Sequence, residues 1–409
     1  MNQYDLLIRN AVVYPCVDDS TQGYPLAALG VLNGKVAYLG PEEEAPVGAS
    51  AVVDAGGRAL LPGLVDPHTH LVFGGSRVSE FARRMAGEDY RAIAAEGGGI
   101  ASTVRQTRAE SDEGLFESAK RRALSMRRRG VTCVEVKSGY GLSLKDELRS
   151  LRIAQKLEEQ GVIRTSATFL GAHSIPPEYR DDREGYLDLV VNEMLPAVAA
   201  EGLALACDVY CDDGAFTLKE SERVWDAALA LGLRVRGHVG QFCDLGGAGA
   251  LADRNALSAD HLEAVSDAQI ERLAQADVSA VLLPGAWRTL RQQAPEAERF
   301  RRAGVRLAVG TDLNPGTSPC PDLPLCAALA VRDAGVTPSE AILGITANSA
   351  TAAGKPELGT LRVGQPADFA IYPFQDANTL VYTLGSDPAW QVYLNGNLVE
   401  SSAESHPLW

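Results

Sequence analysis

The stretch Leu61-Pro62-Gly63-Leu64-Val65-Asp66-Pro67-His68-Thr69-His70 carries an apolar run into a His-X-His pair. Side chains two residues apart on a strand point to the same side, so His68 and His70 can direct two imidazoles at one point. Imidazole is a common ligand of zinc and other divalent transition metals. The pair alone is a weak signal, because two unrelated polar residues at a strand end are common. Further candidates at later strand ends favour a metal site.

Strand-like and helix-like segments alternate through the middle of the chain. Eight apolar runs have the length and composition of strands: Ala59–Val65, Cys133–Lys137, Thr165–Leu170, Ala206–Tyr210, Arg234–His238, Ala256–Ala259, Val278–Leu283 and Arg306–Gly310. Helix-like segments lie between them, among them Asp112–Arg129, Leu144–Glu159, Gly185–Ala200, Leu218–Leu231, Ser266–Ala276 and Ala294–Ala303. This alternation predicts an α/β fold, a TIM-like (β/α)8 barrel over residues 61–357, with its chemistry at the C-terminal ends of the strands.

Both ends of the chain have the character of short β-strands. The N-terminal candidates are Tyr4–Ile8, Val12–Tyr14, Ala27–Leu32, Lys35–Leu39 and Ala51–Asp54, and the C-terminal candidates are Asp368–Tyr372, Val392–Leu394 and the segment 395–399. Asn33-Gly34 between two apolar runs is typical of a β-hairpin. Neither end alone has enough strands for a core, so residues 1–60 and 358–409 are expected to form one small, discontinuous, β-sandwich-like domain.

Composition restricts the class of partner and the compartment. The chain has 409 residues and a net charge of −15, which makes it a poor binder of nucleic acid and of anionic membranes. The start of the sequence lacks a signal-peptide pattern, and no apolar run approaches membrane-spanning length. The seven cysteines form no CxxC pair, so free thiols and a cytoplasmic location are expected.

Five of the six histidines lie at or just after predicted barrel strands. These are His68, His70, His173, His238 and His261, whereas His406 lies in the C-terminal tail and is predicted to be inert. His238 ends its run among small residues and is assigned as the third metal ligand. His261 is left open as a ligand or a base. A lone histidine is more often structural, but five at one end of one barrel indicate a site.

Asp312 and two loops complete the predicted site. Asp312 follows the last barrel run, where it is a carboxylate ligand, a proton acceptor or a helix N-cap. Three nitrogens and one carboxylate around a divalent cation leave room for water, whose pKa zinc lowers from about 15.7 to ~7. The pattern therefore indicates a hydrolase. Arg77 is positioned to clamp a carboxylate, and Tyr140 lies in a glycine-flanked loop as a substrate contact or a packing residue.

The motifs resemble the imidazolonepropionase family of the amidohydrolase superfamily over nearly the whole chain. The pieces that carry the resemblance are the segments 66–77 (DPHTHLVFGGSR), 137–142 (KSGYGL), 169–173 (FLGAH), 176–179 (PPEY), 258–262 (SADHL) and 311–316 (TDLNPG). The His-X-His alone indicates only the superfamily. The Gly-Gly-Ser-Arg loop and the Asp-Leu-Asn-Pro-Gly loop are far more specific.

The resemblance implies one zinc or iron ion and hydrolysis of the cyclic amide of 4-imidazolone-5-propanoate to N-formimino-L-glutamate. It implies His68, His70, His238 and Asp312 as metal ligands, and His261, Asp312 and Gln241 as catalytic residues. It also implies a set of substrate contacts, namely Arg77, Tyr140, His173, Gln241, Asn314, Gly316 and Thr317. The expected partner is a small anionic substrate, and a homodimer is a family-level expectation.

Two positions leave alternatives open. His238-Val239-Gly240-Gln241 has an amide where many relatives have a glutamate, and an amide cannot act as a general acid or base. This shifts proton transfer onto His261 and Asp312 and weighs against a heterocycle aminohydrolase. Lys137 is interpreted as structural or supporting rather than as a carboxylated ligand bridging two metals. The alternatives are another amidohydrolase, either that heterocycle aminohydrolase or a formimino-group hydrolase, and a non-catalytic barrel that acts in assembly.

Overall fold

The computed structural model describes residues 4–88, 97–385 and 388–402. Its strands are β1 (Tyr4–Val13), β2 (Tyr24–Leu32), β3 (Lys35–Pro41), β4 (Ala49–Asp54), β5 (Ala59–Pro62), β6 (Leu64–Asp66), β7 (Val131–Lys137), β8 (Arg164–Ala172), β9 (Ala206–Cys211), β10 (Arg234–Val235), β11 (Gly237–Val239), β12 (Ser258–His261), β13 (Ser279–Leu282), β14 (Leu307–Val309), β15 (Phe369–Tyr372), β16 (Gln391–Leu394) and β17 (Asn397–Ser401).

The α-helices of the described residues lie mostly between the barrel strands. They span Val78–Met85, Ile100–Ala109, Asp112–Arg127, Leu144–Glu159, Arg183–Leu189, Leu195–Glu201, Leu218–Ala230, Gly247–Ala252, Asp267–Gln275, Pro284–Leu290, Ala297–Ala303, Leu323–Leu329, Pro338–Gly344, Ala347–Ala352 and Thr379–Tyr382. Short 3-10 turns occur at Glu42–Glu44 and Pro177–Tyr179, and π turns at Val190–Met194 and Ala330–Ala334. No described helix has both the length and the apolar character needed to cross a membrane.

The predicted (β/α)8 barrel is confirmed. The parallel strands pair in the order β6-β7-β8-β9-β11-β12-β13-β14. The short strand β10, which directly precedes β11, also pairs with β9. Backbone hydrogen bonds close the barrel between its ends, from Asp312 N to His68 O and from His70 N to Leu313 O, both 3.0 Å long. The residues that follow β6 and those that follow β14 are therefore neighbours at the C-terminal mouth.

The run Ala59–Val65 is divided between two sheets, which corrects its prediction as one barrel strand. Its first half, β5, pairs with β1 and β15, and its second half, β6, pairs with β7. Gly63 marks the change: its N–H donates to Asp368 O, and a Cβ there would lie 2.1 Å from Thr132 Oγ1. Apolar character continues across the break because both halves are fully buried.

The two chain ends form a separate sheet, as predicted. Its hydrogen-bonded order is β17-β16-β15-β5-β1-β2-β3, with β4 beside β1. The β2–β3 hairpin turns at Asn33 and Gly34, whose φ values of 53° and 73° are those of a type I′ turn. The predicted domain boundaries at residues 60 and 358 stay a prediction, and β5 extends to Pro62.

One further prediction is refined by the structure, and another agrees with it. The predicted helix Gly185–Ala200 is interrupted at its centre by the π turn Val190–Met194, which lies between the helices Arg183–Leu189 and Leu195–Glu201. All seven cysteines are free thiols, as expected. His406 lies outside the described residues.

Candidate metal centre and active site

Three imidazoles and one carboxylate converge at the C-terminal mouth of the barrel. His68 and His70 follow β6, His238 lies on β11, and Asp312 follows β14. His238 Nε2 lies 3.2 Å from His70 Nε2, and Asp312 Oδ1 lies 3.5 Å from the Nε2 atoms of both His68 and His70. Potential ligand atoms lie within 4.8 Å of one another in two overlapping groups, His68–His70–Asp312 and His68–His238–His261.

The electrostatic environment of these side chains suits a cation. Burial, followed by the charge of Lys137, holds the pKa of His68 well below its usual range, and burial lowers the pKa of His238 to about 4. The imidazoles are therefore neutral at pH 7, the form that binds metals. Burial also raises the pKa of Asp312 to about 7, although the nearby His261 acts to lower it. Among the described residues His68 Nε2 has no hydrogen-bond partner.

Buried carboxylates orient two of the imidazoles from behind. His68 Nδ1 lies 2.6 Å from Asp260 Oδ2, and His238 Nδ1 lies 3.0 Å from Asp208 Oδ1. With Nδ1 donating to a carboxylate, each ring presents its Nε2 lone pair towards the centre. The residues present thus fit a divalent metal ion, because the Nε2 atoms of three imidazoles and a carboxylate oxygen converge, and His68 Nε2 has no hydrogen-bond partner among the described residues.

His261 lies beside this cluster in an unusual backbone conformation. Its φ is 80° and that of Leu262 is 71°, values that residues other than glycine rarely adopt. Its Nδ1 atom lies 3.6 Å from Glu263 Oε1. Burial lowers the pKa of His261, but the carboxylates of Glu263 and Asp312 outweigh it and raise that pKa above its ordinary value. His261 therefore differs from the other four imidazoles in its affinity for protons.

A cavity of about 620 Å³ opens above the cluster, and Arg77 is part of its lining. Arg77 Nε donates to Glu80 Oε2 at 2.9 Å, and the same oxygen accepts from Gly99 N at 3.1 Å. A Cβ at Gly316 would lie 2.2 Å from Arg77 Nη1, so the guanidinium passes directly over this glycine. Glu80 and Gly316 together fix the direction of the Arg77 side chain.

Tyr140 and His173 form another part of the lining. The His173 ring stacks on His70 at 5.1 Å, and its Nδ1 lies 2.9 Å from Gly139 O. Glu147 Oε1 accepts N–H groups of Gly141 and Leu142, so a buried carboxylate anchors the loop that carries Tyr140.

Gln241 also lines the cavity, and its amide is oriented by a tyrosine. Tyr210 donates its hydroxyl to Gln241 Oε1 at 2.8 Å, which leaves the NH2 group of the amide as the donor for other partners. Asp212 accepts the backbone N–H groups of Gln241, Phe242 and Cys243, and so anchors this loop as Glu147 anchors the loop of Tyr140.

Asn314 shapes the loop after Asp312. Asn314 Oδ1 accepts the backbone N–H groups of Gly316 and Thr317, and Asn314 Nδ2 donates to Asp312 O. Asn314 and Thr317 line the cavity, and Gly316 lies below Arg77. No helix begins at Asp312 in the described chain, which sets aside the N-cap alternative; the next helix is capped by Asp322.

The structure brings all the site residues predicted from the sequence to one end of the barrel. Prediction from the sequence missed the six carboxylates and one tyrosine that hydrogen-bond or contact the site residues and their loops: Glu80, Glu147, Asp208, Tyr210, Asp212, Asp260 and Glu263. A signal was available for two of these, because Asp208 lies within a predicted barrel strand and Asp260 directly follows one, positions where a charged side chain is buried and needs a partner.

Comparison with known proteins gives the same family by two routes. A family model described as the amidohydrolase family matches residues 101–400. An imidazolonepropionase of Cupriavidus pinatubonensis is 45% identical over 382 residues, which cover 92% of this chain and 90% of that protein. An imidazolonepropionase of a Polaromonas species is 45% identical over 385 residues, with coverage of 93% and 91%.

Solved structures of lower identity share the fold. Triazine hydrolase from Arthrobacter aurescens is 19% identical, with a TM-score of 0.77 and coverage of 98% of this chain and 95% of that one. A zinc-bound adenosine deaminase from Xanthomonas campestris is 20% identical, with a TM-score of 0.72 and coverage of 97% and 93%. These similarities concern the barrel and the sheet beside it.

Proposed function

The chain belongs to the imidazolonepropionase family of metal-dependent amidohydrolases, and from this membership we propose which of its residues carry the reaction. Its activity is that of an imidazolonepropionase, hydrolysis of the ring amide of 4-imidazolone-5-propanoate to N-formimino-L-glutamate. The observation that carries the assignment of residues is one cavity whose lining includes His70, His238, His261, Asp312 and Arg77.

His68, His70, His238 and Asp312 hold one divalent cation in this proposal. Support comes from the short distances between their nitrogen and oxygen atoms and from the carboxylates that orient His68 and His238. Nitrogen and carboxylate ligands suit zinc and iron alike, so the ligand set is compatible with both metals. When bound, the cation supplies Lewis-acid activation of water.

Arg77 binds the propanoate group of the substrate. A guanidinium offers a bidentate fork to a carboxylate, and a protein of net charge −15 needs such a local cation to hold an anion. Tyr140 and His173 contact the substrate from the adjoining wall, and the Gln241 amide donates to it through its NH2 group. Thr317 and the loop shaped by Asn314 contact the end of the substrate that becomes the amino acid.

Asp312 transfers the proton, and His261 stabilises the developing negative charge. Asp312 Oδ1 faces the imidazole cluster, while its Oδ2 lies 3.5 Å from the hydroxyl of Thr317. Asp312 accepts a proton as a water oxygen bonds to the carbonyl carbon, and His261 donates a hydrogen bond to the developing oxyanion. The ring C–N bond then breaks, and the proton on Asp312 passes to the departing nitrogen. Gln241 only orients the substrate, since an amide does not exchange protons.

The test is turnover of freshly generated 4-imidazolone-5-propanoate, followed by the loss of its ultraviolet absorbance. The metal content is measured on the same sample, and metal-free protein is reloaded anaerobically with Zn²⁺ or Fe²⁺. Turnover with about one metal ion per chain is expected, with a loss of at least about 100-fold in Asp312→Asn. Metal-loaded protein that leaves this substrate intact would redirect the assignment to other cyclic amides or to formimino compounds.

A further inference from the structure

A group of buried charges lies directly below the metal ligands, and the proposed reaction does not use it. Its members are Glu135, Lys137, Asp208, Arg236 and Asp260, and the side chain of each is 0% exposed. Removing an ammonium group from water is unfavourable unless well-placed partners compensate. The arrangement of these partners indicates what Lys137 does.

Lys137 lies at the centre of three carboxylates. Its Nζ atom is 2.7 Å from Asp208 Oδ2, 3.0 Å from Glu135 Oε1 and 3.7 Å from Asp260 Oδ2. These carboxylates attract the ammonium and raise the pKa of Lys137, although burial alone would lower it. A carbamate at this position would place a fourth negative charge among three others, so the carboxylated form does not fit.

Two of these carboxylates continue to the metal ligands. Asp208 uses its other oxygen, Oδ1, for His238 Nδ1 at 3.0 Å, and Asp260 contacts His68 Nδ1 at 2.6 Å. An unbroken path of contacts therefore runs from one imidazole, through a carboxylate, Lys137 and a second carboxylate, to the other imidazole. Lys137 is the residue that contacts both carboxylates on this path.

The third carboxylate reaches the backbone between His68 and His70. Glu135 Oε2 accepts the N–H group of Thr69 at 3.2 Å, and the Thr69 hydroxyl donates to Glu135 O at 2.5 Å. Arg236 contacts the same region through Pro67 O at 3.1 Å. The segment that presents the His-X-His pair is thus held by the same group of charges.

We propose that Lys137 is a positioning residue that fixes the direction and the tautomer of His68 and His238 through Asp260 and Asp208, and thereby sets the affinity for the divalent cation. The proposal rests on the metal site assigned above. Supporting carboxylates of metal-binding histidines typically contribute about 10- to 100-fold to metal affinity. Lys137 orients two of them at once, because without its charge Asp208 and Asp260 repel one another across the space it occupies.

The experiment compares Lys137→Met, which keeps the length of the side chain and removes its charge, with wild-type protein. Affinity for Zn²⁺ is measured by competition with a chelator on metal-free protein, and the ligand geometry by the visible spectrum of the Co²⁺-loaded form. Arg164→Met is the matched control, since Arg164 forms a partly buried ion pair with Asp368 between barrel and end sheet, remote from the imidazoles.

The expected result is a Zn²⁺ affinity weakened by about 10- to 100-fold in Lys137→Met with an altered Co²⁺ spectrum, and neither change in Arg164→Met. A folded Lys137→Met protein with the affinity and the spectrum of the wild type overturns the role of Lys137. Wild-type protein that binds neither ion overturns the metal site itself.

If Lys137→Met does not fold, Asp208→Asn, Asp260→Asn and the double variant replace it. Two carboxylates coupled through Lys137 give non-additive losses of Zn²⁺ affinity, and this result supports the proposal. Losses that add overturn it, because each aspartate then acts on its own histidine alone.

Discussion

Glu263 is a buried carboxylate that lies beside the imidazole of His261. Its side chain is 4% exposed, it lies 3.6 Å from His261 Nδ1, and neither of its oxygens has a hydrogen-bond partner among the described residues. A carboxylate in this position keeps the Nδ1 proton on its own side, which leaves the other nitrogen to face the cavity. Glu263 thus places a negative charge next to His261, whereas the amide of Gln241 is neutral.

We predict that Glu263→Gln lowers kcat by about 10- to 100-fold and leaves KM and the metal content unchanged, because only the charge that supports His261 is lost. Steady-state kinetics and metal analysis of the same preparation test this. Glu271→Gln, the same substitution at an exposed site on the following helix, serves as the control. A variant that loses its metal would identify His261 as a ligand rather than a proton donor.

Arg77 allows a complementary prediction, in which KM changes rather than kcat. Arg77→Met removes the guanidinium and is expected to raise KM by about 10- to 100-fold with a smaller effect on kcat, as for a lost charged hydrogen bond. Arg83→Met, on the helix that directly follows Arg77 and paired with Glu88, is the control. An unchanged KM would remove Arg77 from the carboxylate site.

Residue type and strand position were enough to predict that the histidines and Asp312 lie close together. These side chains follow apolar runs whose ends meet at one edge of the barrel. Residue type and strand position could not predict which carboxylate lies behind which imidazole. The pairing of Asp260 with His68 joins strands β12 and β6, which are not neighbours in the barrel, and depends on how their inward side chains fill the interior.

Two helices begin with the same arrangement of a capping threonine, a glutamate and an arginine from another segment. Thr217 and Glu220 cap the helix Leu218–Ala230, and Thr337 and Glu340 cap Pro338–Gly344. Hydrogen bonds from Arg183 and Arg301 respectively are the main reason that the pKa of Glu220 and that of Glu340 each fall to about 2, from an ordinary 4.5.

The lowered pKa values determine the direction of a pH effect. Because the folded state holds these protons less tightly than the unfolded state, their stabilisation is complete above pH 4.5 and is lost as the pH falls towards 2. We predict that the melting temperature of Glu220→Gln/Glu340→Gln falls less steeply than that of the wild type over this range. Thermal unfolding at several pH values measures it, with Glu271→Gln as the control. Parallel curves would contradict the prediction.

Strand and helix positions followed from apolar runs and their spacing, but the breaks within them did not. Gly63 divides one apolar run between two sheets, and Arg236, whose side chain is fully buried, lies between β10 and β11. Such breaks depend on contacts with Thr132 and Pro67, which are remote in sequence. The local composition of the sequence therefore does not predict these breaks.

For the whole molecule, Gly63 is the point where the end sheet passes into the barrel. We predict that Gly63→Ala lowers the free energy of unfolding by about 1–3 kcal/mol, because its Cβ would overlap Thr132. The cost should shrink in a Thr132→Gly background, which removes the overlapping atoms. Gly48→Ala, with open space around the added Cβ, should be close to neutral in denaturant unfolding. Equal costs at both glycines would contradict this account of the junction.

The seam that closes the barrel also has a consequence for how the chain is made. Asp312 and His68 share a backbone hydrogen bond across this seam, yet they belong to the last and the first barrel strands in the sequence. A growing polypeptide on the ribosome presents His68 early and Asp312 only after seven further barrel strands have been synthesised. The proposed ligand set is therefore complete only in a finished molecule, and uptake of the metal ion would report that synthesis and closure have both ended.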